Sequence, residues 1–170
     1  MMPILTLSLM YWFHLLATVI WIGGLAMLTF VVWPGLMSLA GDEAKLSFRA
    51  LDILERRFRP LSNVSLAVLL TTGLIQMGAS SNYEGMLQIT NRWSQVMLIK
   101  HGVIAGMIIV TMIIQFRILP ELRRLLLFIQ KGKDIGTDAD RYRRYLQQLT
   151  LVNLVLGGLV LFFSALLTAL

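Results

Sequence analysis

The chain has 170 residues, of which 57% are hydrophobic and only 14% charged, and its mean hydropathy is +0.75. A soluble domain can have that length, but here the apolar residues gather in runs longer than about 18, the mark of membrane-spanning helices. The formal charge of +6 does not imply nucleic acid as a partner, because in a membrane chain the placement of Lys and Arg means more than their sum. Cysteine is absent, which excludes disulfides, iron–sulfur clusters, thiolate-bound metals and cysteine nucleophiles.

No charged residue lies between Met1 and Ala40, and a first span is predicted over 5–33, with Pro34 and Gly35 marking its end. The first basic residue is Lys45, so the positive start of a cleavable leader is missing and the segment is expected to remain in the mature chain. From Asp42 to Phe58, the residues Leu46, Ala50, Leu51, Leu54 and Phe58 recur at helical spacing, predicting a helix that lies on the membrane surface or extends a span. The second span is predicted over 61–78, the third over 93–119 with Pro120 behind it, and the fourth over 145–170. Between the last two, Leu122, Leu125, Leu126 and Ile129 run beside Arg123 and Arg124, and a break follows from Gly132 to Gly136. Thr137 with Asp140 then opens a helical extension of the fourth span. The expected fold is all-α, a single four-span domain over 1–170 forming an integral membrane four-helix bundle.

The connection after the first span carries five basic residues (Lys45, Arg49, Arg56, Arg57, Arg59), that after the second carries Arg92 alone, and that after the third carries eight, from Arg117 to Arg144. The positive-inside rule places the two basic loops in the cytoplasm and both termini on the outer side of the plasma membrane, the inner membrane of a bacterium. The basic residues are expected to anchor to anionic lipid, so the bilayer is the first partner.

Ionisable residues within spans are functional candidates by default, and this chain has His14, Lys100 and His101. Counted from the start of each span, both histidines lie about 12–14 Å in at 1.5 Å per residue, which puts them at matching depth on two helices. Two such imidazoles can supply both axial ligands of a b-type haem inside a bundle. Met10 and Met97 each precede a histidine by one turn, with Met77 also near, so His14, His101, Met10 and Met97 form an alternative copper set. Glycines at 23, 24, 102, 106, 157 and 158 thin the helices, for a flat ring or for close packing. Lys100 lies too deep to snorkel easily, and its partner is expected to be a haem propionate, a quinone oxygen, a backbone carbonyl or another membrane subunit. Trp21 follows His14 by two turns and is expected to pack against the cofactor. Gln76, Gln115 and Asn153 are expected to join helices.

The stretch HLLATVIWIGGL from His14 to Leu25 resembles the opening of the four-helix membrane domain of the copper-resistance D (CopD) family. Arg56-Arg57-Phe58 before the second span, Thr72-Gly73-Leu74 within it, Leu98-Ile99-Lys100 in the third and Asn153 to Gly157 in the fourth extend the likeness over nearly the whole chain. The same pattern is similar to the bacterial membrane protoporphyrinogen oxidases, small haem-b proteins in which a first-span His and a third-span Lys matter; His14 and Lys100 are the matching positions. The first resemblance implies copper movement and the second implies bound haem and porphyrinogen oxidation, while His101 directly after the lysine departs from both. Four functions stay open: haem-b electron transfer through His14 and His101, copper transport, a protoporphyrinogen oxidase-like enzyme, and an accessory subunit without cofactor.

Overall fold

The computed structural model describes residues 3–38, 44–83, 85, 89–130 and 136–170, and among these no strand occurs. Four helical stretches are each long and apolar enough to cross a membrane: Ile4–Gly35, Arg56–Ala79, Arg92–Leu125 and Asp140–Ala169. The first comprises α1 (Ile4–Met27), a π-helical turn (Leu28–Val32) and the start of α2 (Trp33–Ser38); the second is the later part of α3 (Ala44–Ala79). The third joins α4 (Arg92–Ile113), a second π turn (Ile114–Ile118) and the start of α5 (Leu119–Gln130), and the fourth lies in α6 (Gly136–Ala169).

Neither Pro34 nor Pro120 ends its helix, contrary to the sequence expectation. A proline inside an α-helix has no N–H for the carbonyl four residues back, and its ring presses on that carbonyl. Each π turn ends two residues before one of these prolines. Through it Trp33 and Leu119 donate their N–H groups to the carbonyls of Leu28 and Ile114, five residues back. The widened turn carries the helix past the proline.

The segment expected as a surface helix or an extension after the first span extends the second one: α3 is continuous from Ala44 and holds Pro60 in its interior. Its predicted beginning at Asp42, like most of the glycine-bounded break before Gly136, lies outside the described residues.

The helices pack as two antiparallel pairs, α1 on α3 and α4 on α6, and α1 also touches α6. His14 meets Thr72 while Met10 meets Gln76, and Thr111 meets Asn153, so partners descend one helix as they climb the other. Both chain ends and the connection from α3 to α4 therefore lie at one end of the bundle, called here the termini end, and the basic connections lie at the loop end. Helices α3 and α4 each pack on other partners more than on one another. Across their gap Gln115 donates to Asn63 at 2.6 Å, and the Asn63 amide returns a longer contact of 3.5 Å. Gln76 likewise donates to the Met10 carbonyl at 3.3 Å and Asn153 to Thr111 at 3.0 Å, so Gln76, Gln115 and Asn153 each join helices as expected.

Two apolar clusters hold the bundle. Trp21, Leu25 and Met107 form the central one, and Trp33 with Ile118, Leu119, Leu122 and Leu146 forms the one at the loop end. Phe30, Val64, Ile109, Val155 and Phe162 are exposed on the outside, as suits a surface whose solvent is hydrocarbon.

Neighbouring glycines on α1 have opposite surroundings. A Cβ at Gly24 would fall on the Phe58 ring of α3, whereas one at Gly23 meets nothing within 4 Å. Gly24→Ala is expected to force the ring aside and lower stability by about 1–3 kcal/mol. Gly23→Ala should be neutral or stabilising by up to about 1 kcal/mol, since alanine is the better helix former. Thermal unfolding of the two variants in detergent checks the contrast.

Candidate functional site

Helix α4 starts at a reciprocal cap. Asn91 accepts from the Ser94 backbone N–H at 2.7 Å, and the Asn91 N–H donates to the Ser94 hydroxyl at 3.3 Å. With the start fixed, Trp93, Met97 and His101 follow at intervals of four and share one face. That face borders a cavity of about 160 Å³ at the termini end, between α3 and α4, whose lining includes Met77, Met97, His101, Trp93 and Tyr83. Gly85 in the connection also lines it with φ at 132°, a conformation that only glycine adopts without strain.

The His101 ring is half-buried, and its Nδ1 lies 2.8 Å from the Met97 carbonyl. A carbonyl only accepts, so Nδ1 carries a proton, and in the neutral ring the lone pair is on Nε2. His14 reaches the same state by a different route. Its Nδ1 lies 2.8 Å from the Thr72 hydroxyl, which spends its only proton on the Val68 carbonyl at 2.6 Å. Thr72 must therefore accept from His14, and Nε2 of His14 is again the basic nitrogen. An imidazole whose other N–H is tied to an oxygen is the usual state of a metal-ligating histidine.

The structure divides the sequence-predicted residues into groups. His14 packs against Thr72 and Gly73 of α3. Lys100 is half-buried, and its side chain makes no hydrogen bond to the described residues. His101 and Met97 line the cavity together with Met77, whereas His14 and Met10 do not. Trp21 is 2% exposed and borders a different, deeper cavity.

The role of Thr72 as the group orienting His14 was not visible in the sequence beyond its place in the Thr72-Gly73-Leu74 motif. Among the described residues no group of three or more His, Asp or Glu side chains comes together. A metal held here by side chains alone would therefore draw on methionine thioethers.

Comparison with known proteins adds one positive finding. The model of the family Copper resistance protein D matches residues 53–167. It includes Thr72, Met77, Met97, Lys100, His101 and Asn153, and leaves out α1 with His14. Neither curated proteins nor solved structures give a match. A four-helix membrane bundle matched over most of its length by that model, this chain belongs to the Copper resistance protein D family.

Proposed function

We propose that the chain handles copper ions as cargo, receiving them in the cavity between α3 and α4 on Met77, Met97 and His101. The observation that carries this is that two methionines and a histidine, its Nδ1 tied to a carbonyl, line one cavity of about 160 Å³. Soft thioether favours Cu(I), and imidazole binds copper as well. The family assignment supports the same metal. With the basic loops in the cytoplasm, the side the positive-inside rule favours, the cavity faces the outer side and copper arrives from outside the cell. His14, with Met10 one turn closer to the surface, is the other imidazole open to the metal.

A second proposal keeps b-type haem between His14 and His101, serving electron transfer, with Lys100 beside a propionate. It is favoured by the shared state of the two imidazoles, each with Nδ1–H tied to oxygen and Nε2 outward, as a bis-histidine centre needs. Haem supplies one-electron chemistry when bound. Seating it would require α3 and α4 to part, since about 160 Å³ is below the roughly 300–1,000 Å³ of pockets for ligands of drug size.

Lys100→Met separates the two proposals by sign. Removing a cation next to a copper path should leave copper retention unchanged or stronger, whereas removing the partner of a propionate should weaken haem retention. Metal and haem content of the purified variant reads both. The copper function itself is tested by cellular copper content in cells expressing the chain. Wild type should raise it and the Met77→Leu, Met97→Leu double variant should not; equal copper in the two would overturn the assignment.

A further inference from the structure

Ten ångströms or so below His14 along α1, at about 1.5 Å per residue, lies a second cavity of about 70 Å³, toward the loop end of the bundle. Its lining includes Trp21, Ser62, Thr111, Thr150, Asn153 and, at its rim, Arg59. Trp21 and Asn153 are each 2% exposed, and among the described residues Trp21 Nε1 and Asn153 Oδ1 are buried with no hydrogen-bond partner.

The orientation of the Asn153 amide is fixed by its neighbour. The Thr111 hydroxyl gives its proton to the Met107 carbonyl at 2.9 Å and so must accept from Asn153 Nδ2 at 3.0 Å. That leaves Oδ1, an acceptor, turned away from Thr111. The lining of one cavity therefore includes a residue of α1 with an unmatched donor and a residue of α6 with an unmatched acceptor. Leaving both unmatched in a low-dielectric interior is expensive.

The ligand that answers this pair must both accept and donate. A cation is repelled by the indole N–H and by Arg59, and an anion is repelled by the amide oxygen. Water fits both, and about 70 Å³ exceeds the roughly 10–15 Å³ of such space that one water needs. Ser62, Gln115 and Thr150 add further polar lining.

We propose that this cavity is a resident-water site, in which water bridges Trp21 Nε1 and Asn153 Oδ1 and connects past Ser62 and Thr150 to Arg59 at the loop end. The loop-side solution thus reaches the foot of the central apolar cluster, where Trp21, Leu25 and Met107 separate it from the site at the termini end. This holds whatever the upper cavity binds.

Water-edited ¹⁵N NMR of the full chain in lipid bilayers tests it through the indole N–H signals. The Trp21 signal is assigned as the one lost in Trp21→Phe; if that variant does not fold, Trp12→Phe, Trp33→Phe and Trp93→Phe assign it by elimination. The Trp21 indole is expected to draw magnetisation from water in the wild type and to fall to the level of lipid-facing amides in Asn153→Leu. A wild-type Trp21 indole that draws none would overturn the site. An unchanged signal in Asn153→Leu would overturn the bridge to Asn153.

Discussion

His101→Ala is expected to weaken Cu(I) binding by at least the roughly 10–100-fold that loss of a mere outer-shell partner produces at a metal site. The expectation rests on the composition of the cavity. Among the described residues no carboxylate lines it, and His101 brings the sole imidazole to Met77 and Met97. Its ring is not free to swing, because the Nδ1 contact to Met97 ties it to its own helix one turn back. The methionines allow a cleaner test, since leucine nearly conserves their volume and leaves the fold undisturbed. Met77→Leu and Met97→Leu should each lower affinity in competition with a Cu(I) chelator of known strength. Wild-type affinity in the double variant would remove the thioethers from the site.

The second large effect concerns stability. Trp33→Ala is expected to lower unfolding free energy by about 3–5 kcal/mol, the range for emptying a buried aromatic site. Trp33 is 2% exposed and packs with Ile118, Leu119, Leu122 and Leu146, so it ties the foot of the first span to α5 and α6. Its position makes the full cost apply. The first stretch is 32 residues long, about 48 Å at 1.5 Å per residue, against a hydrocarbon core of about 30 Å. Its foot thus lies toward the headgroups, where truncation forfeits hydrophobic transfer as well as packing. Within the hydrocarbon only packing would be lost, as lipid is as apolar as the side chain. Trp33→Phe, which keeps most of the volume, should recover the larger part, and denaturant titration in mixed micelles measures both.

Four spans were legible because charge marks their ends. A stretch without charge to Ala40, the cluster from Arg56 to Arg59, Arg92, and the group from Arg117 to Arg144 leave few other partitions of the chain. The prolines misled, because a proline signals a helix end only while the backbone keeps its α register. A π turn before Pro34 and another before Pro120 change that register, and nothing in the sequences LTFVV and IQFRI announces them. At the site, residue counting gives depth but not rotation. Counting puts His14 and His101 at similar depth, yet packing sets one against Thr72 and the other in the lining of the cavity with Met77. The pairing of α1 with α3 and of α4 with α6 decides that outcome. Trp21 likewise shares a helix face with His14 by spacing, but it lies two turns deeper and so borders the lower cavity with Asn153.

The central claim, copper on Met77, Met97 and His101, is met most directly by one sample of detergent-purified protein, exposed to Cu(I) and to haem, washed, and measured for copper by elemental analysis and for haem by a reduced-minus-oxidised visible spectrum. Copper retained in a fixed ratio to protein, with no low-spin b-type bands, is the predicted result. Sharp b-type bands with no retained copper would contradict it and establish the bis-histidine haem in its place.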